Sequence, residues 1–446
     1  MANGTNYVDF YNSLWDVISW PLQQSKMDSK EISSQMSLFD SIISSSKNKE
    51  DVTISRQQWI ESLAVASSLV DAGFIWTTAD LQRQARKWIS TIEAHLNLDP
   101  DNLKIDGDIF RSICVLRVRP YFANSIDSVG QNIISQEKQE YVLVGSDSSN
   151  QLMKNTYNSK FGQDNSKWRK HPQCIAAFSW AFDRLCDDDI VEQIAYILPV
   201  VVALMDDYEC HAKLWGLRLA LKLLRRGGQQ GFMRKSGIAN VIDKSVRECL
   251  LYRSDSGKEF AVDLLSCAFE AAIESARILY SDPQNANYSD GWWFITEKVI
   301  ANDVYVADNI AASSILCKQV TLLCQPLGVA IARYLRPLVG MLCQGLHSPV
   351  YLSQSICDLH LVIVQQIQVL MDTCSQRIHV YVQEIIAALA YSWASTQNKN
   401  AGNIKNIGEL QDRIISIVHR FQKICPETTQ ASIKRLHQTR PSIFAQ

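Results

Sequence analysis

The sequence predicts an all-α protein, built as an α-solenoid of HEAT-like helical hairpins. Apolar residues recur at helical spacing along most of the chain, and no stretch sustains the alternation of a strand. The 446 residues include only 18 Gly and 11 Pro, which is few for a sheet protein with its many turns. Hydrophobic hairpins also recur, and each leaves an apolar face that neighbouring hairpins must cover. A compact irregular helical bundle is the alternative fold.

Composition narrows the class of protein. The chain carries 44 basic and 46 acidic residues, so its net charge of −2 gives no argument for a nucleic acid or a membrane surface as partner. Its 12 cysteines are scattered without a CxxC pair, as expected for buried thiols in a reducing compartment. The first residues lack the pattern of a signal peptide, and the longest uncharged apolar run, Ile194–Met205, is too short to span a bilayer. We therefore expect a soluble intracellular protein.

The chain divides by composition into three parts. A predicted N-terminal helical domain, residues 1–140, carries amphipathic segments at 7–18, 30–45, 56–70, 79–96 and 109–118. Residues 141–166 shift to Ser, Asn, Gly and Asp, which predicts a polar linker or loop. Residues 167–446 then form a predicted C-terminal HEAT-like domain.

A hairpin at 194–228 is the centre of this second domain. Its first helix is apolar on every face, which predicts burial on all sides, and it contains Pro199. Asp206 and Asp207 are placed to cap the second helix, and Asp206 has the spacing of a capping box with Glu209. Gly227 is placed to end that helix.

The second helix of the hairpin has an apolar ridge, a small-residue groove and a basic outer stripe. Gly216 lies in the groove between Ala212 and Ala220, where a neighbouring helix can approach closely. A solvated helix face is the ordinary role of a basic stripe, and contact with an acidic partner is the functional one. The candidate contact residues are Lys213, Arg218, Lys222 and Arg225.

Further helices are predicted on both sides of this hairpin. A lead-in and helix precede it at 168–185, and helices follow at 237–251, 260–280 and from 292 to 300. A second hairpin is predicted from Pro326–Leu346, a turn at 347–349 and an amphipathic helix through 352–370. Helices at 378–393 and 410–424 come next, and the basic segment 432–446 is predicted to be frayed.

No motif points to catalysis. Walker A, HExxH, GxSxG and kinase signatures are all missing from the sequence. The glycines at 227–231 follow a helix, so a helix end is favoured over a phosphate loop, and Asp187–Asp189 is favoured as a helix-capping turn over a cation site. Cys343-x3-His347 and Cys357-x2-His360 have ligand types for zinc, but their spacing matches no common zinc module. We assign no catalytic, cofactor-binding or metal residue.

Residues 165–230 resemble the family of the second Tel-two-interacting protein, the smallest subunit of the Triple-T complex. The resemblance continues weakly to about residue 390. Its elements are Trp168-Arg169, a helix ending at Trp180, Leu198-Pro199, Asp206-Asp207 and Lys213-x-x-Gly216-x-x-Leu219. The residues to which it implies a structural role are Trp168, Trp180, Pro199, Asp206, Asp207 and Gly216.

The resemblance implies a HEAT-like adaptor without enzymatic activity or cofactor, in the cytoplasm and nucleus. Such proteins bind the large first Tel-two-interacting protein and, through it, the Tel-two subunit. They act with Hsp90 and R2TP in the maturation of phosphatidylinositol-3-kinase-related kinases, which serve DNA-damage and TOR signalling. Two other hypotheses stay open: a HEAT adaptor in nuclear transport or ribosome assembly, and a helical enzyme with a site of scattered residues. The enzyme would need a pocket that holds several groups of perturbed pKa.

Overall fold

A computed structural model gives the fold in two compact units. The first unit is Met1–Asp207 with Arg226–Gly228, and the second is Tyr208–Arg225 with Gln229–Gln446. The predicted linker, 141–166, lies outside the described residues, as do almost all of the predicted segments 7–18 and 30–45. The structure describes residues 15, 37, 39–40, 54–70, 79–98, 104–122, 167–226, 230–250, 261–282, 288–301, 309–347, 352–397, 404–440 and 443–444.

The predicted all-α class is confirmed, because the described residues form helices and no strand. One isolated parallel bridge joins Ile105 to Leu185. It rests on two backbone hydrogen bonds, from Ile105 N to Arg184 O at 2.8 Å and from Cys186 N to Ile105 O at 3.4 Å. This bridge fixes the end of one helix beside the start of another and builds no sheet.

The first unit packs its helices around an aromatic core. The α-helices whose bounds the structure describes are α1 (Arg56–Ser67), α2 (Ala79–His95), α3 (Gly107–Ile113), α4 (Gln173–Arg184) and α5 (Ile190–Met205). Helix α1 packs against the three that follow it, and α3 packs against α4 and α5. The rings of Phe110 on α3 and Phe178 on α4 lie 5.9 Å apart, and both side chains are fully buried. Burial of such rings supplies much of the core's hydrophobic stabilisation.

Helix α5 departs from the prediction that it is buried on all sides. It begins at Ile190, and Pro199 lies inside it. Ile197, Val201 and Leu204 are fully buried. A stripe on another side stays partly or fully exposed, and its members are Glu192, Ala195, Tyr196, Pro199 and Ala203. The prediction was wrong because an apolar side chain does not have to be buried, so apolarity on every face does not show which face meets solvent.

The second unit places its helices in two layers. The helices are α6 (Cys210–Arg226), α7 (Gln230–Lys235), α8 (Ile238–Leu250), α9 (Ala261–Leu279), α10 (Tyr288–Ala301), α11 (Ile310–Leu327), α12 (Leu335–Leu346), α13 (Gln354–Thr373), α14 (Val382–Thr396), α15 (Ile407–Ile424) and α16 (Pro426–Thr439). From α9 onward, α9, α11, α13 and α15 pack in one row, and α10, α12, α14 and α16 pack in the other. Consecutive helices therefore alternate between rows, which is the repeat pattern of a helical solenoid. Arg226, the last residue of α6, is grouped with the first unit.

Two predictions in the second unit were wrong. The predicted helix Pro326–Leu346 is divided between the last turn of α11, a 3-10 segment Gly328–Tyr334 and α12. Gly328 has φ of 50°, which ends α11 in a conformation that favours glycine. The chain is also helical through Pro426–Thr439, because Pro426 suits the first helical position, so this part of the C-terminal segment is not frayed.

The stretch Ile310–Leu346 is long and apolar enough, by length and composition alone, to cross a membrane. It contains Lys318, Arg333 and Arg336, so it is not among the uncharged runs of the sequence. In the structure Gly328 interrupts it, and Leu316, Val320 and Leu323 of α11 are fully buried. Helix α11 packs against α9 and α13. It is therefore built as a core helix of the second unit.

Candidate protein-binding surface

Helix α6 carries the predicted contact residues, and its inner face matches the sequence prediction. The apolar ridge of Leu214, Leu217, Leu221 and Leu224 is buried, as are Ala212, Gly216 and Ala220 of the small-residue groove. The predicted capping box is wrong in position. It needs a helix that starts at Asp207, but α6 starts at Cys210, and Asp206 is the C-cap of α5.

The basic stripe of α6 lies on the outer side of the helix. Arg218 and Arg225 are exposed, and Lys213 and Lys222 are partly exposed. Nη2 of Arg225 lies 3.1 Å from Oε2 of Glu270 on α9, with about half of each side chain in solvent. Such an exposed pair contributes at most about 1 kcal/mol to folding, so Arg225 is available to a competing carboxylate.

Acidic residues of α9 lie near the same stripe. Burial raises the pKa of the Cys267 thiol on α9 to about 12. The Glu270 carboxylate adds to this rise, whereas the cationic Arg218 and Arg225 oppose it. The stripe is therefore part of a mixed charged surface between α6 and α9, to which α6 contributes Arg218 and Arg225.

A groove between α9 and α11 continues this surface. Its volume is about 450 Å³. We call it the α9–α11 groove and define it by its lining residues, which are Arg225, Ser266, Glu270, Ile273, Glu274, Arg277, Ile315, Lys318, Gln319 and Leu322. Arg225 belongs both to the groove and to the basic stripe. Sequence reasoning missed the α11 side of the groove, because it did not recognise α11.

Two parts of the predicted signature meet in the first unit. Trp168 is buried, and its ring stacks on Phe122 with centroids 6.1 Å apart. The Arg169 guanidinium lies over the Trp168 ring at 5.4 Å, and its Nη2 contacts both carboxylate oxygens of Asp207 at 2.6 and 2.7 Å. Asp207 is thus an ion-pair partner at the end of α5, with its carboxylate directed to Arg169.

Trp180, the other signature tryptophan, is partly exposed on α4. The Arg184 guanidinium lies 4.4 Å from the centre of its ring and also pairs with Glu93 of α2. Burial raises the pKa of the Glu93 carboxyl, and Arg184 opposes that rise. Trp180 therefore holds an arginine that connects two helices, which is a structural role.

Arg226 has a role that the sequence did not reveal. Its guanidinium donates to the backbone oxygens of Phe182 and Leu185 and to the carboxylate of Asp187, with Nη2–Oδ1 at 2.7 Å. Asp187 is thus bound by an arginine, and Asp189, at the N-cap of α5, makes no side-chain capping bond. These contacts correct the prediction that the triple-Asp turn caps the next helix.

Three of the four side chains considered for zinc have other partners. Nδ1 of His347 contacts the Cys343 backbone oxygen at 2.6 Å, and the Cys357 thiol donates to the Lys405 backbone oxygen at 3.7 Å. Nδ1 of His360 lies 2.9 Å from Oγ of Ser392. Within the described ranges, no three His, Cys, Asp or Glu side chains are grouped to hold a metal ion.

The His360–Ser392 pair superficially resembles a nucleophile with its base. Both residues are buried, at 1% and 0% exposure. Burial lowers the pKa of His360 to about 4, and a backbone contact with Gly345 opposes that shift. A substrate has no access to this pair, so we interpret it as a hydrogen bond that joins α13 to α14 in the core.

A comparison of the chain with protein families finds a match. No curated protein matches the chain. The model of the Tti2 family matches residues 62–353, which is more than half of the sequence. The matched region includes the Arg169–Asp207 pair, the basic stripe and the whole α9–α11 groove. The chain belongs to the Tti2 family.

Proposed function

We propose that the protein is a non-enzymatic scaffold subunit of the Triple-T complex. The observation that carries this proposal is the family match over 62–353, which supports a role as a component of that complex. The two rows of helices in the second unit support it further. Helical repeats of this kind expose an extended surface for binding proteins.

The direct partner in this proposal is the large first Tel-two-interacting protein, and the Tel-two subunit joins through it. The assembly acts with Hsp90 and R2TP in the maturation of phosphatidylinositol-3-kinase-related kinases, in the cytoplasm and nucleus. The exposed part of the α6 stripe, Arg218 and Arg225, is the surface that we assign to the partner. Charged residues at the rim of an interface govern partner choice and association rate more than total affinity.

Affinity purification of the tagged full chain, followed by mass spectrometry, tests this function. We expect two larger helical-repeat proteins in near-stoichiometric amounts. Hsp90 and the phosphatidylinositol-3-kinase-related kinases should be recovered at lower levels. A tagged variant with Arg218, Lys222 and Arg225 all changed to Glu is the matched control, and we expect it to recover less of the two proteins. Recovery of nuclear-import or ribosome-assembly factors in their place would overturn the proposal.

A further inference from the structure

We propose that the α9–α11 groove binds an acidic segment of the protein partner. This inference rests on the proposed function, since it names the surface of the second unit that receives the partner. The groove is lined by one face of each of two packed helices. Ile315, Lys318 and Leu322 lie at helical spacing on α11, opposite Glu270, Glu274 and Arg277 on α9.

The charges of the groove favour a negatively charged ligand. Glu270 pairs with Arg225 at 3.1 Å, and Glu274 pairs with Arg277 at 2.8 Å. The two carboxylates of the groove are thus each committed to an arginine. Lys318 is exposed and has no carboxylate partner in the part of the chain that the structure describes. An incoming carboxylate would therefore find a cation that no other group neutralises.

Gln319 gives a second and independent indication of a ligand. It is 5% exposed, and its Nε2 donates to the Ile315 backbone oxygen at 3.0 Å. Its Oε1 is buried with no hydrogen-bond partner among the described residues. A buried acceptor without a donor destabilises the free protein. A turn of the Gln319 amide towards the groove would let a backbone N–H of a bound segment supply the missing donor.

The remaining lining residues favour a polypeptide over a nucleic acid. Ile315 and Leu322 are partly exposed, and they give the groove apolar contacts one helical turn to either side of Lys318. A phosphate backbone carries continuous charge and would leave these two apolar side chains without apolar partners. A peptide that alternates apolar and acidic side chains meets both the apolar contacts and Lys318.

The test uses the full chain and two probes. The first probe is a short fluorescent peptide of Glu, Ala and Leu, with the same peptide carrying Lys for Glu as its control. The second is the purified first Tel-two-interacting protein. We expect the acidic peptide to bind, the basic peptide not to bind, and the large protein to displace the acidic peptide.

Single substitutions locate the site. Lys318→Glu should weaken binding of both probes about ten-fold, because it removes a charge-assisted contact and adds repulsion. Lys318→Arg should stay within about two-fold of the wild type, since it keeps the charge. Lys244→Glu, at an exposed lysine of α8, is the matched control and should bind as the wild type does.

Gln319→Leu separates ligand binding from folding. Loss of the unpartnered acceptor should raise the melting temperature, whereas loss of its contact with the ligand should weaken binding. The assignment of the groove as a binding site would be overturned if the Lys318→Glu variant bound the peptide as tightly as the wild type does. It would also be overturned if the protein bound duplex DNA through Lys318 and did not bind the peptide. If the peptide binds through Lys318 but the large protein does not bind, the groove stands and the proposed function fails.

Discussion

Arg169 and Asp207, 38 residues apart in sequence, form a partly buried ion pair in the first unit. Nη2 of Arg169 lies 2.6 and 2.7 Å from the two carboxylate oxygens, and the side chains are 14% and 7% exposed. The pair connects the turn before α4 to the residue that follows the C-cap of α5. Two separate pieces of the sequence signature, Trp168-Arg169 and Asp206-Asp207, therefore serve one contact.

Removing one member of this pair should be costly. Asp207→Asn replaces the carboxylate that Nη2 of Arg169 contacts by a neutral amide, and we expect the free energy of unfolding to fall by about 2 kcal/mol. Denaturant unfolding, followed by circular dichroism, measures this loss. Asp188→Asn, at an exposed aspartate of the same unit, should change stability by less than about 0.5 kcal/mol. Equal stability of the two variants would contradict the structural role of the pair.

Arg225 and Arg226 are neighbours with different roles, so the same substitution should lower the stability by different amounts at the two positions. Arg226→Lys keeps the charge but loses the planar fork that reaches two backbone oxygens and Asp187, and we expect a loss of about 2 kcal/mol. Arg225→Lys affects one half-exposed pair and should cost less than about 1 kcal/mol. Thermal melting of both variants is the measurement, and a larger effect at Arg225 would reverse this assignment.

Two helical glycines should respond in opposite directions to alanine. A Cβ on Gly291 of α10 would lie 1.9 Å from a ring carbon of Tyr280, so Gly291→Ala must displace that ring and should destabilise by about 1–3 kcal/mol. A Cβ on Gly340 of α12 would meet nothing within 4 Å, so Gly340→Ala should stabilise by about 0.5–1 kcal/mol. The melting temperature of Gly291→Ala should fall below that of the wild type, and that of Gly340→Ala should rise above it. If both melting temperatures shifted in the same direction, the packing described around α10 would be contradicted.

Acid should destabilise the fold through His360. Its pKa is lowered by burial to about 4, against an ordinary value near 6.5, so the unfolded chain binds the proton more tightly. Stability from the neutral imidazole is complete above pH 6.5 and falls as the pH drops towards 4, by up to about 3 kcal/mol. Unfolding measured from pH 7 to pH 4 should show this loss. His360→Gln should flatten this pH dependence, whereas His419→Gln, at an exposed histidine, should preserve it.

Charge reversal along α6 should separate binding from folding. With Arg218, Lys222 and Arg225 all changed to Glu, the buried ridge of α6 is untouched, so we expect a melting temperature within a few degrees of the wild type. Binding to the large partner should weaken, and its association rate should depend less on salt. Unchanged binding at physiological salt would mean that the stripe is a solvated helix face.

Local patterns in the sequence predicted much of the helical fold. Helix α6 was predicted with its buried ridge, because leucines at helical spacing define one face. Helix α11 was missed, because Ser313 and Gln319 interrupt its apolar pattern although the structure buries them both. Pro326 then looked like the start of a helix, whereas it lies in the last turn of α11.

The site was less predictable than the fold. The exposed positions Arg218 and Arg225 follow from helical spacing alone. The partners of Arg169 and Arg226 do not, because each lies about 40 residues away and is set by tertiary packing. The α9–α11 groove likewise needs two helices in contact, so neither segment alone indicates it.

The alternating rows of α9–α16 have a consequence for cooperativity. Each helix in these rows packs mainly against helices one or two places away in the chain. Each helix is therefore stabilised by its near neighbours in the sequence. Loss of α15 and α16 would then remove contacts from α13 and α14 while leaving α9 and α11 packed together. The second unit should consequently unfold in steps from its C-terminal end, and a chain damaged there would retain the groove.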